Sequence, residues 1–226
     1  MKIYKIKINQ NFDKKLINNL TKFISKEKYE RIKRFKFKED FMRSLLGDLL
    51  YRYAICKKLR CKNNELEFAI NEYNKPYILC SEDLHFNISH SGDWVVCALS
   101  DKFIGIDVER IKSIDLDIAK NYFTIEEYES ILEQPIENRL KFFYYLWTLK
   151  ESYVKADGRG LLLDFKTFSI HIRNNEIVIN TNNKLKSCFF KTYNIEESYI
   201  ISICSLNSKI SDIVEEISIC DILETI

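Results

Sequence analysis

A chain of 226 residues with 35 lysines and arginines against 33 aspartates and glutamates carries a formal net charge of +2. That near balance excludes a general nucleic-acid coat or a membrane-surface protein, so any basic patch has to be local. The length suits one large domain or two small ones and allows roughly 70 % of the unfolded surface to be buried.

From the N-terminus, Met1 to Ile8 alternates charge with apolar residues and lacks the apolar run of a signal peptide. No stretch reaches the ~20 apolar residues of a membrane span. A first strand is expected over 3–8, and Leu16, Ile17, Leu20, Phe23 and Ile24 then recur at helical spacing. The charged segment 25–38 leads into a long amphipathic helix through Phe41, Leu45, Leu49, Tyr53 and Cys56. A short strand at 66–70 and a turn at Asn74-Lys75-Pro76 follow. Strands are expected at 86–91, 94–99 and 103–109, then helices near 115–122, 124–133 and 137–156, stopped by Gly158 and Gly160. Strands near 168–173, 176–179, 188–194 and 199–204 complete the chain. Each half offers a long helix with several strands, which suggests two related α+β lobes, 1–103 and 104–226. Seven cysteines, without a C-x-x-C pair, read as reduced thiols of a cytoplasmic protein; Cys56 and Cys61 are the nearest two.

The chemistry concentrates in two segments. In Gly105-Ile106-Asp107-Val108-Glu109, the residues Ile104, Ile106 and Val108 would face a core and leave Asp107 and Glu109 on the other face. Those carboxylates stand roughly 6.6 Å apart along a strand. Their repulsion would be about 2.5 kcal/mol at an effective dielectric near 20, a cost more easily borne around a cation. Trp147 to Lys155 reads as helix and adds Glu151, with Lys150 and Lys155 beside it. Three oxygen donors with two ammonium groups suit a magnesium ion carrying a polyphosphate.

Each piece also has a plainer reading. Asp107 and Glu109 could mark a solvent-facing strand edge. Glu151 and Lys155 are spaced for an intrahelical ion pair, and Lys150, roughly 100° round the helix from Glu151, could be merely solvated. Ser89 and His90 point to opposite faces of a strand, so they are not a nucleophile and its base; they either line a turn or donate to an anion. The run Lys28, Arg31, Lys33, Arg34, Lys36, Lys38 is a solvated face or an anion patch. Thr124 and Glu127 match a capping box.

Phe86-Asn87-Ile88-Ser89-His90-Ser91, Gly105 to Glu109 and Trp147 to Lys155 together resemble the three signatures of the Sfp-type 4′-phosphopantetheinyl transferases. Glu27-Lys28, Phe35, Glu39-Asp40, Leu45-Leu46-Gly47-Asp48, Tyr73 and Lys75-Pro76 fit the same family, so the likeness covers almost the whole chain. It implies a pseudo-twofold α+β monomer with coenzyme A between its lobes. It also implies transfer of the phosphopantetheine arm to a serine of an apo acyl or peptidyl carrier protein, releasing adenosine 3′,5′-bisphosphate. By that likeness Asp107, Glu109 and Glu151 would hold Mg²⁺, or Mn²⁺, against the pyrophosphate. Lys155 would assist departure of the nucleotide. Arg31, Ser89 and His90 would grip phosphate, with Lys28, Ser44 and Lys150 also on the coenzyme, and Tyr73, Lys75 and Pro76 would line the adenine pocket. Arg31 stands where lysine is also common in the family, and Ser44 where threonine is expected. The carrier's serine needs a base, for which Glu151, a metal-bound water and Glu127 are open. Gly158 to Leu163 is either a dock for an acidic helical carrier or a core plug. Two rivals are a metal-dependent nuclease and a non-catalytic coenzyme A or carrier-binding module; the first normally places its E-x-K element on a strand, whereas Glu151 lies in a helical pattern.

Overall fold

The computed structural model describes residues 1–8, 12–173 and 176–226, and one run of elements occurs in it twice. Strand β1 (Lys2–Lys7), the helices α1 (Lys14–Leu20) and α2 (Lys26–Ile32), and the long helix α3 (Lys38–Leu59) open the first half. The hairpin β2 (Phe68–Ile70)–β3 (Pro76–Ile78) and the hairpin β4 (His85–Ser91)–β5 (Trp94–Ser100) complete it. The second half begins with β6 (Ile104–Arg110), α4 (Ala119–Tyr122), α5 (Ile125–Leu132) and the long helix α6 (Ile136–Asp157). Hairpins β7 (Phe168–Arg173)–β8 (Glu176–Thr181) and β9 (Phe189–Glu196)–β10 (Tyr199–Ser205) follow. The sheets have matching orders, β1-β5-β4 and β6-β10-β9, with antiparallel pairing in each. The protein is thus α+β with two similar lobes.

Local chemistry explains the element ends. Glu39 and Asp40 in the first turn of α3 and Lys57 and Lys58 in the last oppose its dipole. Thr124 caps α5 by accepting from the Glu127 amide, while the Glu127 carboxylate accepts from the Thr124 amide, so the expected capping box forms. Gly158 ends α6 at φ 88°, a left-handed conformation that favours glycine.

Three apolar layers hold the lobes. Leu45, Leu49 and Tyr53 of α3 pack on Tyr4, Ile6 and Val95, and Leu146, Leu149 and Tyr153 of α6 pack on Ile200 and Cys204. A third layer joins the backs of the two sheets, with Ile3, Val96 and Ala98 meeting Ile104, Ile106, Val108 and Ile203. Ile104, Ile106 and Val108 do therefore face a core.

The tail runs back to the N-terminal half of the chain. Residues 215–216 form β11 (Glu215–Glu216), parallel to β1, and α7 (Ile219–Thr225) packs back on α3. Ile217 and Ile222 join the first core, and that burial draws the tail to the N-terminal lobe. Helix α2 occupies a segment read only as charged. All seven cysteines are free, and Cys80 and Cys220 are exposed.

Candidate active site

Strands β4 and β6 lie alongside each other at the junction of the two sheets, joined by side chains instead of a backbone ladder. Alternate residues of β4 share a face, and three of them reach across. Asn87 Oδ1 accepts from the Ile106 amide at 2.9 Å. Ser89 Oγ donates to Asp107 Oδ1 at 2.8 Å. Ser91 Oγ donates to Glu109 Oε2 at 2.7 Å and accepts from the Arg110 amide at 3.1 Å.

Helix α6 crosses the acidic face of β6 at Gly105. A Cβ there would meet the Ser152 carbonyl at 2.0 Å and the Ala156 amide at 2.4 Å, so only glycine permits this approach. The approach brings Glu151 and Lys155 down onto the strand. Lys155 Nζ donates to Asp107 Oδ1 at 2.6 Å and to Ser89 Oγ at 2.8 Å.

Asp107 is 2 % exposed, and its second oxygen, Oδ2, is buried with no hydrogen-bond partner among the described residues. Burial pushes the Glu151 carboxyl up to about 7, with Lys155 pulling it down and Asp107 and Glu109 adding to the rise. Glu109 is also raised, by burial first and then by Asp107, with Ser91 and Lys155 opposing. The acids of the two segments are therefore within electrostatic reach of one another. Among the described residues no three acidic, histidine or cysteine side chains stand close enough together to hold a metal ion by themselves. The site nonetheless fits a hard divalent cation, because a buried carboxylate oxygen lacks a donor and the available ligands are oxygens.

Beside this slot lies a cavity of about 710 Å³ between the lobes, lined among others by Lys28, Arg31, Tyr73, Lys75, Pro76 and Lys155. Five cationic side chains, counting Arg52, give it the character of a polyphosphate site. Lys75 donates to the Lys155 carbonyl at the end of α6, and burial pushes its ammonium down to about 8. Lys28 is also lowered by burial, with Asp48 at 3.8 Å opposing. Asp48 in turn accepts from the Tyr51 hydroxyl at 2.6 Å and from Arg52 Nε at 2.7 Å.

Other expected residues fall elsewhere. Ser44 is half-buried on α3, outside the cavity lining. His90 is an exposed residue of β4, on the opposite side from Ser89, although its ring is crowded. That crowding lowers its pKa, helped by Lys155, Arg43 and Lys28. Lys150 requires a correction: it is 0 % exposed and donates to both Glu127 oxygens, at 2.7 and 2.8 Å, and to the Phe168 carbonyl. Facing the core, it can reach no coenzyme. Glu127 is likewise withdrawn as a base, since it is 1 % exposed and also accepts from the Ile170 amide at 2.8 Å. Of Gly158 to Leu163, Leu163 is buried in the second core while Leu162 is 76 % exposed, and the Leu161 side chain lies outside the described residues. Sequence reasoning missed Asn87, Ser91 and Arg52. The alternation of Asn87, Ser89 and Ser91 with Phe86 and Ile88 was the available signal.

Two family descriptions match the chain in tandem. Residues 12–102 match "4′-phosphopantetheinyl transferase, N-terminal", and residues 103–204 match the "4′-phosphopantetheinyl transferase superfamily". The 4′-phosphopantetheinyl transferase Sfp of Bacillus subtilis is 38 % identical over 206 residues, 91 % of this chain and 92 % of the relative. The 4′-phosphopantetheinyl transferase gsp of Aneurinibacillus migulanus is 38 % identical over 208 residues, 92 % of this chain and 87 % of the relative. Among solved structures, the holo-[acyl-carrier-protein] synthase of Thermotoga maritima aligns with a TM-score of 0.41 at 19 % identity, over 48 % of this chain and 65 % of that one.

Proposed function

Because this chain belongs to the 4′-phosphopantetheinyl transferase superfamily, we propose a mechanism in which the lobe junction carries out the family's transfer of phosphopantetheine from coenzyme A to a carrier protein. The observation that carries this reading is the buried Asp107, held through one oxygen by Ser89 and Lys155 and with Oδ2 unpartnered, beside a cationic cavity that Lys155 also lines.

In this reading Arg31, Lys28 and Lys75 hold the phosphates and adenosine of coenzyme A in the cavity, with Tyr73 and Pro76 beside the base. Ser89 and Lys155 stand where the pyrophosphate enters the slot. Asp107, Glu109 and Glu151 would hold Mg²⁺, or Mn²⁺ in its place. The ion would neutralise charge on the pyrophosphate, which is the main demand of attack at phosphorus. Asp107 now shares one oxygen between Ser89 and Lys155, and its orphaned Oδ2 is the natural first ligand. Lys155, drawn from Asp107 to phosphate oxygens, would stabilise the departing adenosine 3′,5′-bisphosphate. We give Glu151 a mixed role, ligand and base, as the acid of α6 within electrostatic reach of Asp107 and Glu109. Ser44 and His90 hold secondary places near the 3′-phosphate.

We divide the chain functionally at 103/104, with the first half gripping the nucleotide and the second bearing the acids. The acceptor is an apo acyl or peptidyl carrier protein of acidic, helical type, for which exposed Leu162 offers an apolar contact. The protein would act as a cytoplasmic monomer, in keeping with its free cysteines; no helix among the described residues is long and apolar enough to cross a membrane. The test is to incubate the protein with apo carrier, coenzyme A and Mg²⁺ and to weigh the carrier. A gain of one phosphopantetheine, abolished by a chelator, is expected; an unmodified carrier under these conditions overturns the reading.

A further inference from the structure

We infer that Ser91 is a positioning residue for Glu109, and that the β4 face Asn87-Ser89-Ser91 is the device that presents the β6 acids to the ion. The inference rests on the metal reading above and extends it to Asn87 and Ser91, which that reading does not use.

The geometry repeats itself. Two serines spaced two apart on β4 meet two acids spaced two apart on β6. Each serine has one donor pointed at it that can only donate: the Lys155 ammonium at 2.8 Å for Ser89, the Arg110 amide at 3.1 Å for Ser91. A hydroxyl carries a single proton. With its lone pair engaged in this way, that proton is committed to the carboxylate, so both rotors are fixed. One oxygen of each acid is therefore held by the N-terminal lobe. The other oxygen, Asp107 Oδ2 or Glu109 Oε1, receives no hydrogen bond among the described residues. Asn87 sets the register of the arrangement by accepting from the amide of Ile106, the residue before Asp107. Because β4 and β6 share no backbone ladder, these side chains are the polar link between the edges.

The chemical consequence follows from what hydrogen-bonded outer partners do for ligating carboxylates. They fix orientation and favour the ionised form, and their loss typically weakens metal binding by about 10–100-fold. Ser91 is suited to that part for Glu109, because it holds Oε2 at 2.7 Å while the Arg110 amide fixes its own orientation.

The test uses Mn²⁺ as the probe, added to the full chain saturated with coenzyme A, with free Mn²⁺ followed by electron paramagnetic resonance. S91A should raise the Mn²⁺ dissociation constant about tenfold or more, while S91T, which keeps the hydroxyl, should stay within about threefold of the parent. S91C, with a weaker donor, should fall between them. An S91A variant that melts lower but binds Mn²⁺ with an unchanged midpoint would reduce Ser91 to a structural role and overturn the proposal. Should S91A fail to fold, S91C decides the matter: parent-like binding overturns it. Asp107→Asn separates the premise from the inference. If that variant keeps parental Mn²⁺ affinity, the metal reading itself is wrong. If it loses binding while S91A does not, only the role of Ser91 falls.

Discussion

The two halves place the same parts against each other and fill the contact differently. Under α3, strand β1 presents Tyr4 and Ile6, each 2 % exposed and packed into the first core, with Tyr4 edge-on to Tyr53 at 5.5 Å. Under α6, strand β6 presents Gly105, Asp107 and Glu109. An architecture that closes stably over apolar side chains is thus also made to close over carboxylates that repel one another. The polar clusters differ in the same way. On α3, Asp48 has both oxygens matched by Tyr51 and Arg52, and the buried Lys150–Glu127 pair is fully matched as well. At β6 an oxygen is left over. Matched polar groups support a fold, whereas an unmatched one in a wet cleft marks a place built for something else.

The comparison breaks most severely at Gly105. Its exchange for alanine should cost about 4 kcal/mol or more, or prevent folding altogether, because the atoms in the way are backbone; denaturant titration measures it. Lys150→Met should remove about 3–5 kcal/mol by leaving Glu127 buried and unpaired. Turnover per folded molecule should change less than about threefold, and adding Glu127→Met should restore much of the loss. A fall in turnover larger than the fall in folded protein would return Lys150 to the active site.

Glu151→Gln should lower kcat by about 100-fold or more, on the order of 2.7 kcal/mol, with the coenzyme A dissociation constant nearly unchanged by calorimetry. Stability should move the other way. The folded carboxyl sits at about 7, above its ordinary 4.5, so between these values the native protein holds a proton that the unfolded chain has released. Stability from this group is present below about 4.5 and lost as pH rises through 7. In metal-free buffer the glutamine variant should therefore exceed the parent in melting temperature at pH 8 and draw level with it near pH 4.5.

A smaller effect is expected at the carrier surface. Leu162→Glu should raise KM for the carrier severalfold and leave the coenzyme A affinity alone, as read from steady-state kinetics. The smallest belongs to Gly47, where a Cβ would touch Ile88 Cδ1 at 3.4 Å. Alanine there should shift stability by no more than about 1 kcal/mol, since helix propensity offsets the crowding. The gap between Gly47 and Gly105 shows on which side of the repeat the helix and strand are pressed together.

Much of this was legible in advance. Alternation across β6 identified which residues face inward, and the spacing of Glu151 and Lys155 placed them on one helix. The capping box of α5 and the glycine end of α6 were equally plain. Other features depended on contacts that one segment cannot reveal. Lys150 looks like a second active-site ammonium because it adjoins Glu151, but a helix turns about 100° per residue and carries it into the core. Glu127 has an acidic side chain free to serve as base until Lys150 is found beneath it. The return of α7 to the first lobe depends on Ile217 and Ile222 finding that core, and no element was expected beyond 204.

The apolar layer between the two sheets has a consequence for how a ligand arrives. Ile3, Val96 and Ala98 interlock with Ile104, Ile106 and Val108 behind the cleft, so swinging the halves apart would expose that layer to water. Admission is left to the rims: the long amine tethers of Lys75 and Lys155 and the turn that carries Tyr73.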